Sequence, residues 1–171
     1  MARLAIILAG ALCSLSLAQL ANSQDPQFNV KGRVFCEVCR ANFINKFSKP
    51  MTGAEVKLEC RDEESGIVTY NVAGVVTNDK GEYDFVAEGD HEAEYCEVTL
   101  VKSSEQDCAE IPVDGLGEIP AAEITLTANN GFHDKYRYAN ALFFTKKEAQ
   151  PECQELYKEL EEDKEDEEPL P

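Results

Sequence analysis

Apolar and polar residues alternate along most of this chain with a period of two, the pattern of strands that bury one face and wet the other. Val30, Gly32, Val34 and Cys36 share one face, with Lys31, Arg33 and Phe35 on the opposite one. Ala54, Val56, Leu58 and Cys60 then alternate with Glu55, Lys57 and Glu59, which predicts a second strand with a solvated side. Residues 67–76 are rich in β-branched side chains around Gly74, a position that marks a bulge. Asn78-Asp79-Lys80-Gly81 supplies turn chemistry, and Tyr83 and Phe85 restart an inward-facing strand behind it. Further strands are expected over 95–101, 122–127 and 136–144, with turns at Glu88-Gly89-Asp90 and Asn129-Asn130-Gly131. Residues 41–48, carrying Phe43, Ile44 and Phe47, fit a short helix or a long connection with apolar plugs equally well. About seven strands at 8–12-residue spacing imply an all-β chain, an antiparallel β-sandwich or small barrel, and not a β-α-β fold.

The two ends depart from this pattern. Arg3 followed by the apolar run Leu4 to Leu17, with small residues at Ala18, Ala21 and Ser23, reads as a secretory signal peptide over 1–23. That run is too short to span a bilayer, and no second run of about 18 apolar residues follows it. At the other end, residues 152–168 hold ten acidic side chains against Lys158 and Lys164. Cys153, Leu156 and Leu160 recur at helical spacing, so a short C-terminal helix is expected to dock there. Beyond it, 161–171 is expected to be a solvated, disordered acidic tail, since like charges repel and nothing apolar pays for order. Residues 24–160 are left as a single β domain.

Charge and cysteines narrow the class further. Sixteen basic and 33 acidic residues give a net charge of −17, and loss of Arg3 with the leader gives 15 − 33 = −18. Such a surface repels nucleic acid and favours basic partners. Removing Cys13 with the leader leaves six of the seven cysteines, and an even count behind a signal peptide reads as three disulfides, with 15 pairings open to sequence alone. The Cys36-x-x-Cys39 pair lacks the β-α-β setting of a redox dithiol. It also lacks a second close pair to complete a zinc site, because Cys60, Cys96, Cys108 and Cys153 are far apart along the chain. The two histidines, His91 and His133, stand beside no nucleophile that the sequence places, and the carboxylates are too many to single out an acid–base pair. The acidic tail has no loop of ordered ligand spacing for calcium. Tyr136, Tyr138, Phe143 and Phe144 read as strand core. The chain is thus expected to be no enzyme and to need no metal or cofactor.

Two resemblances sit on these residues. The order Gly32-x-Val34, Pro50-x-x-Gly53-Ala54-x-Val56-x-Leu58 and Thr77-x-Asp79-x-Gly81-x-Tyr83-x-Phe85 resembles small transthyretin-like β-sandwich modules, a likeness of fold only. More specifically, Gly32-Arg33-Val34-Phe35-Cys36-Glu37-Val38-Cys39-Arg40 resembles the signature of the plant Ole e I family of pollen proteins, usually Gly-x-Val-Tyr-Cys-Asp-x-Cys-Arg. The likeness continues through Cys60-Arg61, Gly89-Asp90-His91, Cys96-Glu97-Val98, Cys108, Arg137-Tyr138-Ala139-Asn140 and Cys153. Phe35 replaces the usual Tyr and Glu37 the usual Asp, and no Asn-x-Ser/Thr sequon occurs.

The resemblance implies the pairs Cys36–Cys108, Cys39–Cys153 and Cys60–Cys96, with Gly32, Val34, Phe35, Cys36, Cys39 and Arg40 as the signature. It implies a secreted, extracellular plant protein of pollen, acting in hydration, germination or tube growth through a receptor ectodomain, a basic peptide or a cell-wall polymer. Binding of IgE would follow if the protein is allergenic. A likeness of the family to trypsin inhibitors raises a second class, an extracellular protease inhibitor, for which Lys102-Ser103 and Arg61-Asp62 are the candidate contact sites.

Overall fold

The computed structural model describes residues 25–113, 120–131 and 134–165, with side chains through 162. Two sheets form a sandwich. The first is built on β1 (Gln27–Glu37), flanked on one side by β2 (Lys49–Pro50) and antiparallel β5 (Glu82–Glu88). Its other neighbours, β8 (Tyr136–Tyr138) and β9 (Leu142–Thr145), run parallel to it. The second sheet is antiparallel, in the order β4 (Val68–Val76), β3 (Glu55–Asp62), β6 (Glu94–Lys102), β7 (Ala121–Glu123). One helix, α1 (Cys153–Glu165), closes the described chain.

The two-residue period buries what it should. Phe28, Val30, Val34 and Cys36 of β1 are buried together with Val56, Leu58 and Cys60 of β3 and Cys96 and Val98 of β6, in one core. The backbone differs from the sequence reading in several places, each with a physical cause. The segment expected as one strand over 136–144 is two: Ala139 N still donates to Lys31 O (2.8 Å), but the ladder to β1 is interrupted at 140–141 before β9 resumes it. Both run parallel to β1; alternation assigns side chains to faces but carries no information on a neighbour's direction. The strand expected over 122–127 stays in register only through Glu123, with a last backbone bond from Ile124 N to Cys96 O (3.0 Å). Beyond it Ile124 and Leu126 stay buried, while the Arg137 guanidinium donates to the carbonyls of Thr125 (3.0 Å) and Thr127 (2.9 Å) in place of a neighbouring strand. Finally, the helix runs through Glu165, so the boundary expected at 161 falls inside it. Leucine, glutamate and lysine are good helix formers, and Lys46 reaches in from the body to neutralise Glu155 and Glu159. Residues 166–171, where the rest of the expected acidic tail falls, and the signal peptide expected over 1–23 lie outside the described residues. Residues 41–48, open in the sequence, form an irregular connection with Phe47 partly buried against the core.

Strand β4 is a sheet edge, and residues 65–78 contain no charge to guard it. Its protection is geometric: the register against β3 breaks at both ends, once around Gly74 at φ 73°. Bulges of this kind twist an edge away from further pairing.

At the β4–β5 turn, Gly81 has φ 71°, and a Cβ there would stand 2.6 Å from the Val34 carbonyl oxygen and 3.0 Å from the Met51 nitrogen. Those are backbone atoms held in the sheet, where Gly81 O accepts from Val34 N at 2.8 Å. Gly66 has a similar φ of 68° with open space around it. Gly66→Ala is therefore expected to cost only the left-handed backbone penalty of about 1–2 kcal/mol. Gly81→Ala should cost about 1–3 kcal/mol more, since overpacking adds to it. Urea unfolding of the two variants compares them directly.

Candidate functional site

β1 ends in a corner built around a buried carboxylate. Glu37, fully buried, accepts from the N–H of Cys39 (2.7 Å) and Ala41 (3.0 Å) and from the side-chain amide of Asn45 (3.0 Å). Its length lets it gather donors across a turn that reaches to residue 45. On either side of it Cys36 is bonded to Cys108 and Cys39 to Cys153, with sulfurs 1.95 and 2.00 Å apart. Backbone ties complete the corner: Lys146 N donates to Glu37 O (3.2 Å) and Gln150 N to Val38 O (3.0 Å). Tyr157 of α1 donates its hydroxyl to Cys39 O.

Arg40, in the left-handed region at φ 55°, donates one guanidinium nitrogen to Glu110 and to the Lys146 carbonyl, each at 2.6 Å. Beside this pair lies an open groove of about 500 Å³ lined by Asp107, Glu110, Lys146 and Lys147. Lys146 reaches Asp107 at 2.7 Å and holds that carboxyl below its usual range.

A second concavity, of about 470 Å³, lies on β1 beside the interruption between β8 and β9. Gly32 and Tyr83 line it, paired across β1 and β5. The Tyr83 ring covers Gly32 so closely that a Cβ at Gly32 would fall 2.2 Å from the phenol oxygen. That hydroxyl is buried with no hydrogen-bond partner, and burial pushes the phenol well above its ordinary range. Around the mouth, Lys31 pairs with Asp84 at 2.9 Å and Arg33 with Glu82 at 3.9 Å. Arg33 also lies over the ring of Phe35, 5.2 Å from its centroid.

The remaining candidates are structural in this geometry. The third disulfide, Cys60–Cys96, joins facing residues of β3 and β6 at 2.05 Å. The fold thus brings together two cysteines that are far apart in the chain, and ligand atoms of His91 and Glu94 lie with theirs inside 4.8 Å. The two sulfurs are bonded to each other, however, and the His91 ring nitrogens face Glu94 (2.8 Å) and the Glu88 carbonyl (3.0 Å). His133 lies outside the described residues. Arg61 and Lys102 sit within β3 and β6, paired into the ladder, and so are not presented on the convex loop that a protease inhibitor needs. Tyr136 and Tyr138, expected in the core, are exposed; alternation along β8 gives its buried position to Arg137, stacked 4.7 Å over Phe28. Sequence reasoning missed Arg137 and the Tyr83 hydroxyl, since charge argues for the surface in the first case and an aromatic reads simply as core in the second.

Comparison with known proteins adds the following. The family model described as "Pollen protein Ole e 1 like" matches residues 26–161. Pollen allergen Che a 1 of Chenopodium album is 44% identical over 154 residues, 90% of each chain. Anther-specific protein LAT52 of Solanum lycopersicum is 43% identical over 156 residues, 91% of this chain and 94% of that one. The crystal structure of the major plantain pollen allergen Pla l 1 superposes with a TM-score of 0.69 at 39% identity, covering 74% of this chain and 99% of that chain.

Two outcomes are expected of the corner. Glu37→Ala strands three buried or half-buried donors and should cost about 2–4 kcal/mol in chemical unfolding, with the disulfides intact. The Lys46 ammonium, raised above 10.5 by its hydrogen bonds to Glu155 and Glu159, ties α1 to the body. A raised pKa stabilises below the unfolded value and is lost as pH rises through the folded one. Amide protection over 153–162 should therefore hold at neutral pH and fall above 10.5, and Lys46→Ala should remove that step.

Proposed function

The chain belongs to the Ole e 1-like pollen protein family, and from that membership we propose that it works outside the cell as a non-enzymatic binding protein of pollen. The observation that carries this reading is a net charge of −17 displayed on a frame tied by three disulfides. Bonds of that kind persist in oxidising, extracellular compartments, in keeping with a leader over 1–23 removed on secretion. Among the described residues, His91 is spent on Glu94 and Glu88 and stands in no nucleophile–base pair. Relatives are named as pollen allergens, a pollen-specific protein-like chain and an anther-specific protein.

The role we assign is in pollen hydration, germination or tube growth. The partner is a basic face of a receptor ectodomain or a basic peptide, with a cell-wall polymer as the other extracellular candidate and IgE as an incidental ligand. An acidic surface favours a basic protein partner through long-range attraction, which speeds encounter and is screened by salt. The pairs Cys36–Cys108, Cys39–Cys153 and Cys60–Cys96 belong to the same proposal for the secreted protein.

The test begins with the protein secreted from plant cells. Its intact mass should match a start within residues 19–24, with six thiols appearing only on reduction. Extracellular pollen proteins retained by the immobilised chain should then elute with salt. Free thiols before reduction, or a retained partner indifferent to salt between 50 mM and about 500 mM, where the Debye length shortens severalfold, would overturn the reading.

A further inference from the structure

We propose that Asn130-Gly131 is a site of spontaneous covalent modification, where the backbone attacks the Asn130 side chain and converts it to isoaspartate and aspartate. Asparagine is among the thermolabile residues, but the reaction makes demands on structure. The carboxamide has to turn toward the next backbone nitrogen, that nitrogen has to be unbonded, and a five-membered ring needs room to close.

Asn130 is the one asparagine of the chain followed by glycine, which has no Cβ to shield its nitrogen. Residues 129 and 130 form a turn, and 128–131 are all exposed, the kind of loop tip where covalent damage concentrates. Among the described residues Gly131 N donates no backbone hydrogen bond. A Cβ built on Gly131, at φ 80°, meets nothing within 4 Å, so the space around the reacting atoms is open.

Other asparagines are held. Asn45 donates its amide to Glu37 (3.0 Å) and accepts from Phe47 N (2.9 Å). The Asn78 carbonyl oxygen accepts from Lys80 N (2.9 Å) and Glu82 N (3.0 Å). Asn129 donates its amide to Glu92 (2.6 Å), and Asn29 and Asn71 lie within β1 and β4. A carboxamide fixed in this way cannot swing onto the following nitrogen.

The chemistry balances with water as its only co-reactant. Gly131 N loses its proton and attacks Asn130 Cγ; the new C–N bond closes a succinimide, and the carboxamide nitrogen leaves as ammonia. Water then opens the ring. Cleavage at Cγ restores the ordinary backbone with an aspartate. Cleavage at the main-chain carbonyl routes the backbone through Cβ, giving isoaspartate. One water enters, one ammonia leaves, one negative charge is gained, and nothing is oxidised or reduced.

The fold confines the consequence. The Arg137 guanidinium donates to the carbonyl of Thr127 before the turn and to that of Asp134 after it. The extra main-chain methylene of isoaspartate thus enters a loop pinned at both ends, and the tip changes while the sheets stay paired. Copies of the protein would gain charge with age at one place. The site rests on no partner and stands whether or not a basic one exists.

The experiment holds the disulfide-intact protein in mildly alkaline buffer beside a synthetic peptide of residues 127–134. Both are followed by peptide mass mapping and by label transferred from an isoaspartyl methyltransferase. The fragment carrying Asn130 should become one mass unit heavier before any other asparagine and accept label. Its rate should rise in proportion to hydroxide and keep pace with the free peptide. Asn130→Gln, whose longer side chain would have to close a six-membered ring, should silence both signals with amide protection of β8 unchanged. Asn130 intact in the folded chain while the peptide converts would overturn the site, as would earlier conversion of Asn45, Asn78 or Asn129. A mass gain without label would mean direct hydrolysis and would overturn the attack by Gly131 N.

Discussion

A carboxylate with no access to water has to find all its partners within the protein, and Glu37 finds them in the turn that separates two cysteines. That requirement shapes the corner from which the remainder of the molecule is held. The donors it gathers fix the backbone of residues 38–41, which aims Cys36 and Cys39 in different directions, one toward the loop after β6 and one toward α1. Arg40 then has to accept a left-handed backbone, and its guanidinium gathers carbonyls from the segment after β9. A disulfide closing a long loop stabilises by about 4 kcal/mol in the chain-entropy picture, but only when the folded geometry already brings the sulfurs together.

Faces were legible in the sequence and neighbours were not. Val30, Val34, Val56, Leu58 and Tyr83 are buried on the sides that alternation assigned them, because burial depends on a local period. Whether β9 runs parallel or antiparallel to β1, or whether 136–144 is one strand or two, depends on partners distant in the chain. The same limit applies to Arg137. Its positive charge marks it as a surface residue until the fold supplies four carbonyls and the ring of Phe28. Cation–aromatic contact and charge-assisted hydrogen bonds then compensate for its desolvation. The corner residues were recognisable as a family signature, whereas the reason for a long acid at position 37 emerges only when its three donors can be counted. The concavity over Gly32 had no sequence signal beyond the glycine itself, since a cavity is made by what the chain does not fill.

The two sheets manage their edges and charges differently. The first carries Lys31, Arg33, Glu82 and Asp84 on its outer face, cancelled in pairs, so its surface is polar yet close to neutral. The second ends in the uncharged β4, where register breaks and not repulsion discourage another strand. The bulk of the negative charge therefore lies outside these faces, in the turns and on α1, where Glu155 and Glu159 leave only Lys46 as a counterweight from the body.

The bond between Cys39 and Cys153 spans 114 residues, and nearly the whole described chain lies between its ends. In topological terms residues 39–153 form a closed ring. A peptide bond cut anywhere from residue 40 to residue 152 opens the ring without dividing the molecule. A nicked copy would keep its mass but for one added water, keep most of its strand pairing, and release its pieces only on reduction. Damage to a surface loop is then not the same as loss of the particle.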